Sequence, residues 1–106
     1  MIRWPTLTAL ALPALFSAAV ARAEAPAKPA RLGLCAACHG ENGIATASGI
    51  PNLAAQNREY LVAALRQYRS GERAAPAMRA VSGSLSDADI DALAAWYSAL
   101  SGGAAR

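Results

Sequence analysis

From Asn57 onward the apolar positions fall at helical spacing, with Leu61, Leu65 and Tyr68 at i, i+4 and i+7. Asn57 is placed to cap that helix and Gly71 to end it, so the pattern predicts a helix between them. A further helix opens at Ser86, where Ser86-Asp87-Ala88-Asp89 has the capping-box form. Asp87, Asp89 and Asp91 put negative charge at its positive end, Ile90, Leu93, Ala94 and Tyr97 form its buried stripe, and Gly102 suits its C′ position. Upstream, Pro29 suits a helical first turn, which predicts a helix carrying Arg31 to Cys38, with Gly33 free to admit a close crossing by Trp96 or Tyr97. Gly40 to Pro51 reads as a long loop and Glu72 to Gly83 as a second irregular stretch broken by Pro76. Apolar and polar residues alternate nowhere over a useful length and nothing repeats, so the expected fold is all-α, with about three main helices and long loops. Unstructured loops of such length are uncommon in a compact domain unless they wrap a ligand.

The amino-terminal pattern is different in kind. Arg3 precedes an apolar run from Leu7 to Ala21 that is broken only by Thr8, Pro13 and Ser17, and Ala21-Arg22-Ala23 offers small residues around a cut before Glu24. Residues 1–23 therefore read as an export signal that is removed, 24–29 as a flexible leader and 30–106 as the domain. An uncleaved anchor is the alternative, against which stand the short span and Pro13. Export places the expected protein in the periplasm, without stable membrane insertion once the signal is gone. The formal charge falls from +3 for the whole chain to +1 for residues 24–106, and no basic run exists, so no nucleic-acid partner is expected.

Composition sharpens the problem of the core. Hydrophobic residues make up 55% of the 106 positions, but 29 of those residues are alanine. Outside alanine, residues 24–106 hold only 20 apolar or aromatic side chains. A domain this small normally needs a disulfide, a metal or a cofactor to complete its interior.

Cys35-Ala36-Ala37-Cys38-His39 supplies the candidate, because Cys-x-x-Cys-His is the pattern of c-type haem attachment. Residues three apart share a helix face, so Cys35 and Cys38 can each form a thioether to a haem vinyl group, and His39 can turn its imidazole onto the iron. A local Cys35–Cys38 disulfide is the alternative. A thioredoxin-like dithiol lacks its βαβ setting, and structural zinc lacks a fourth ligand.

With the chain's one histidine spent, Met78 is the candidate sixth ligand, its alternative role being core filler. The Pro51 carbonyl is placed to accept the other ring N–H of His39, or Pro51 only shapes a turn. Arg73 and Arg79 flank the Met78 segment, as propionate partners or as solvated surface charges.

These residues resemble the class I c-type cytochromes of the small monohaem bacterial periplasmic kind. The resemblance covers Leu32 to Leu100 and rests on Cys35 to Gly40, Pro51-Asn52-Leu53 with Gln56, Tyr60-Leu61, Arg69-Ser70-Gly71-Glu72-Arg73, Met78, and Leu85-Ser86-Asp87 with Ile90, Ala94 and Tyr97. It departs from the family at Arg31, where an aromatic or large apolar residue is common, and at Ala55, where glycine is common. It implies one covalent haem c on Cys35 and Cys38, His39 and Met78 on the iron, and Pro51 behind His39. It also implies single-electron transfer between redox protein partners rather than substrate turnover. Two other functions share the motif: the haem subunit of a larger periplasmic dehydrogenase, and a catalytic or sensor haem protein with a displaceable sixth ligand.

Overall fold

The structure is a computed structural model that describes residues 1–17 and 24–102. The predicted cleavage boundary at 21–23 and the last four residues of the predicted domain lie outside the described residues. Four helices follow in order, α1 (Leu32–His39), α2 (Arg58–Ser70), α3 (Pro76–Ser82) and α4 (Asp87–Ala99), with no strand among the described residues. Residues 1–17 carry no helix and are exposed throughout, and no described helix is long and apolar enough to cross a membrane.

The caps of α2 and α4 lie where the sequence places them. Asn57 Oδ1 accepts from the Tyr60 amide at 2.8 Å, and Gly71 closes α2 in the left-handed region at φ 82°. Ser86 Oγ accepts from the Asp89 amide at 3.0 Å while Asp89 Oδ2 accepts from the Ser86 amide at 3.0 Å. Each cap satisfies backbone groups that a helix end otherwise leaves unpaired. The stripe Ile90, Leu93, Ala94 and Tyr97 is buried against Leu61, Leu85, Leu32 and Cys35. Helix α2 packs on both α3 and α4. Arg69 ties its end to the start of α4, donating to Leu85 O at 3.0 Å and pairing with Asp87 at 2.7 Å.

Three expectations are corrected. The stretch from Glu72 to Gly83 is not irregular throughout, because Pro76 to Ser82 is helical, giving four helices rather than three. Pro76 stands at the first helical position, where its missing N–H costs nothing and its fixed φ favours the turn. Seven residues are too few to show a helical period in the sequence. Gly102 does not follow α4 directly, since the helix ends at Ala99 and Leu100 is extended, with ψ 146°. Gly33 admits no crossing helix, because a Cβ there meets nothing within 4 Å.

Ala55 adopts φ 60°, a conformation that costs a residue with a Cβ about 1 kcal/mol and suits glycine. Its amide donates to Tyr97 O at 3.1 Å, which fastens the loop to the end of α4. The departure from glycine at this position is therefore a strained one.

Acid should weaken the fold through the start of α4. Hydrogen bonds from Arg69 hold the Asp87 carboxyl below its ordinary value, and those from Ser86 do the same for Asp89. Depressed carboxyl values stabilise the fold above the unfolded value, and that contribution is lost as pH falls through the folded one. Denaturant midpoints of the holoprotein should therefore decline below about pH 4. Ser86→Ala should lower stability by about 1 kcal/mol at neutral pH and flatten that decline.

Candidate functional site

All four helices and the 40–51 loop surround one cavity of about 420 Å³, within the range of small-molecule sites. Its wall is mostly apolar, with Leu61 and Leu65 from α2, Ala77 and Val81 from α3, and Leu93 and Ala94 from α4. A space of this size sits where a larger domain would place side chains.

Helix α1 brings its two cysteines to that wall three residues apart. Cys35 is buried and Cys38 exposed, and burial pushes the Cys35 thiol above its ordinary value. His39, the last residue of α1, is buried with Nδ1 2.8 Å from the Pro51 carbonyl oxygen. A carbonyl can only accept, so Nδ1 carries the proton and Nε2 keeps its lone pair in the neutral ring. The imidazole is thereby held in one tautomer and one orientation on the cavity wall.

The loop reaches Pro51 by a tight return. Gly40 has φ 78°, and a Cβ there would collide with the Ile44 carbonyl. Gly43 has φ 75°, and its Cβ would lie 2.6 Å from Ala54 N. Without that side chain, Gly43 O accepts from Leu53 N at 2.8 Å and Ala54 N at 3.1 Å, closing the loop on itself. Helix α4 secures the turn after His39, as the Tyr97 hydroxyl donates to Gly40 O at 3.0 Å and Trp96 Nε1 to Glu41 O at 2.9 Å. Burial pushes the Tyr97 phenol well above its ordinary value, which keeps it a donor. So Trp96 and Tyr97 meet the turn beyond α1 rather than Gly33.

Met78 is half-buried on α3 and lines the same cavity as His39. Arg73 also lines it. Its guanidinium donates to Tyr60 Oη at 3.1 Å and lies 4.8 Å from the centre of the Tyr68 ring, both tyrosines being on the cavity wall. The phenols beside Arg73 raise its already high value further. Arg79 is not on that wall. It covers Gly71 at the end of α2, where a Cβ would lie 2.6 Å from Arg79 Nη1. The sequence pattern places Tyr68 on the apolar stripe of α2 but gives no sign that Tyr60 and Tyr68 would meet Arg73, a pairing made across the turn at Gly71.

The donor set fits a haem. Two thiols share an edge, a fixed imidazole offers a lone pair, a thioether stands on the same wall, and the remaining surface is apolar. That combination defines a c-type cytochrome domain.

Comparison with known proteins agrees. The family model described as cytochrome c oxidase, cbb3-type, subunit III matches residues 23–96. The chain is 40% identical over 78 residues to cytochrome c-554(548) of Halomonas halodenitrificans, an alignment covering 71% of this chain and 94% of that protein. It is 41% identical over 96 residues to a thiosulfate dehydrogenase electron acceptor of Thiomonas intermedia, covering 89% of this chain and 43% of that one. The crystal structure of reduced cytochrome c4 from Pseudomonas stutzeri superposes with a TM-score of 0.59 at 33% identity, over 63% of this chain and 38% of that one. The chain belongs to the cytochrome c family as a small class I member. It binds haem c covalently and functions in haem-based electron transfer.

Tyr97→Phe should cost about 1 kcal/mol in the unfolding free energy of the holoprotein, because the buried Gly40 carbonyl loses one of its two donors and keeps only the Gly43 amide at 3.2 Å. Denaturant titration followed in the far ultraviolet measures it.

Proposed function

We propose that the chain is an exported, periplasmic single-electron carrier, with thioethers from Cys35 and Cys38 and axial ligation by His39 and Met78. The observation that carries this reading is the 2.8 Å contact of His39 Nδ1 with Pro51 O, which commits the other ring nitrogen to the cavity that Met78 also lines. Bound haem supplies a one-electron iron couple. The neutral, soft thioether of Met78 favours the ferrous state and raises the potential relative to two imidazoles. The apolar wall limits water and sets a low dielectric around the site.

Arg73, held by Tyr60 and Tyr68 at the cavity wall, supplies a cation suited to a haem carboxylate. Arg79 stands with its charge at the carboxyl end of α2, a favourable place for a cation, and is not assigned to the haem. Removal of residues 1–23 on export leaves the haem domain with its short leader. Its partners are redox proteins, a donor and an acceptor.

A second reading draws on the similarity to the thiosulfate dehydrogenase electron acceptor of Thiomonas intermedia. In it the chain accepts electrons from a periplasmic dehydrogenase as that enzyme's haem subunit. Size-exclusion of native extracts separates a free carrier from a subunit.

Met78→Ala should leave haem covalently attached and abolish the weak thioether-to-ferric-iron absorption band in the red. It should also let carbon monoxide bind the reduced protein at neutral pH. A band unchanged by the substitution excludes Met78 as ligand, and a wild-type protein that already binds carbon monoxide favours the open-site, sensor or catalytic function.

A further inference from the structure

Pro51 O orients the buried imidazole of His39, yet Pro51 itself is exposed and the chain leading to it is loosely held. Thr46, Ala47, Ser48 and Gly49 are all exposed, and a Cβ at Gly49 would meet nothing within 4 Å. Within residues 45–52 the backbone makes one hydrogen bond to itself, from Ile50 N to Ala47 O at a long 3.4 Å. The proline ring fixes φ of Pro51 but leaves ψ free, and ψ sets where the carbonyl points. Its direction has to be fixed from the far side.

The chain is firmly held just after Pro51. Leu53 and Ala54 donate their amides to Gly43 O at 2.8 and 3.1 Å. Asn52 adds a tie through its side chain, where Oδ1 accepts from the Ala45 amide at 2.8 Å, seven residues back. A backbone N–H can only donate, so the oxygen of this carboxamide is the atom that faces Ala45. The planar peptide unit that carries Pro51 O ends at the Cα of Asn52. A side chain anchored at that pivot limits how far the unit can turn.

We infer that Asn52 is a positioning residue for the imidazole: pinned to Ala45, it fixes the 51–52 peptide so that Pro51 O meets His39 Nδ1. This role rests on His39 being on the iron, as proposed above. An acceptor at Nδ1 raises the basicity of a ligating imidazole. A more basic ligand favours the higher charge of ferric iron, so slackening the contact with Pro51 favours the ferrous form. Asn52 also lines the cavity, and a change in potential alone would not separate positioning from direct contact with the cofactor. The proton on His39 Nδ1 separates them.

Asn52 is exposed, so replacing it leaves the core intact. Asn52→Leu keeps a branched side chain but offers no acceptor. In the isotope-labelled, reduced holoprotein, hydrogen exchange at His39 Nδ1 should become about three- to fivefold faster than in the wild type, the effect of one lost hydrogen bond. The reduction potential of the same variant should move upward. Asn52→Asp still turns an oxygen toward the Ala45 amide, and its exchange at Nδ1 should match the wild type. The red absorption band that reports Met78 should persist in both variants. Unchanged exchange in Asn52→Leu overturns the positioning role, and a shifted potential beside it marks direct contact instead. Exchange as fast in Asn52→Asp as in Asn52→Leu overturns it too. A wild type whose His39 ring protons lack the upfield displacement of a haem-bound imidazole overturns the axial-ligand reading, and the positioning role with it.

Discussion

The constraint on which the structure depends is a shortage of apolar side chains. Among the described residues nine hydrophobic ones are buried, and Ala64 and Ala94 among them contribute little volume. Leucines, Ile90 and Tyr97 on α2 and α4 can cover one side of an interior but cannot fill it. The helices therefore stand around a cavity of about 420 Å³ instead of closing on each other. A large flat apolar group in that space adds the burial the polypeptide lacks, and two covalent bonds keep it there. Fold and function thus share one solution, because the group that completes the core also carries the electron.

Leu32 and Cys35 pack α1 against the core, and directional bonds secure the turn beyond it. His39 is oriented by Pro51, the loop is closed by Gly43, and α4 reaches the turn after α1 through Tyr97 and Trp96. With His39 on the iron, as proposed, these contacts would hold the imidazole in one orientation in both oxidation states. Met78 is placed by other means, on a short helix resting against α2.

Much of this was legible in the chain, for local reasons. Asn57 and Ser86 cap helices through neighbours three residues away, and the stripe on α4 spans two turns, so sequence spacing suffices for both. Cys35, Cys38 and His39 form a contiguous motif, and Pro51 followed from the need of a bound histidine for an acceptor. Helix α3 was hidden because Pro76 reads as a breaker unless the first helical position is known, and seven residues carry no period. Gly33 misled for a related reason, since the lack of a side chain signals space without saying what enters it. The separation of Arg73 from Arg79 depends on the turn at Gly71, which sends one guanidinium to the tyrosines and leaves the other at the end of α2.

A haem tethered by Cys35 and Cys38 is the true interior of this domain. Intact-mass measurement of the exported protein, together with thermal unfolding of the same sample, tests it most directly. Residues 24–106 should carry the mass of one haem and unfold in a cooperative transition that disappears when Cys35 and Cys38 are both replaced by alanine. A bare polypeptide of that length that still unfolds cooperatively would contradict it.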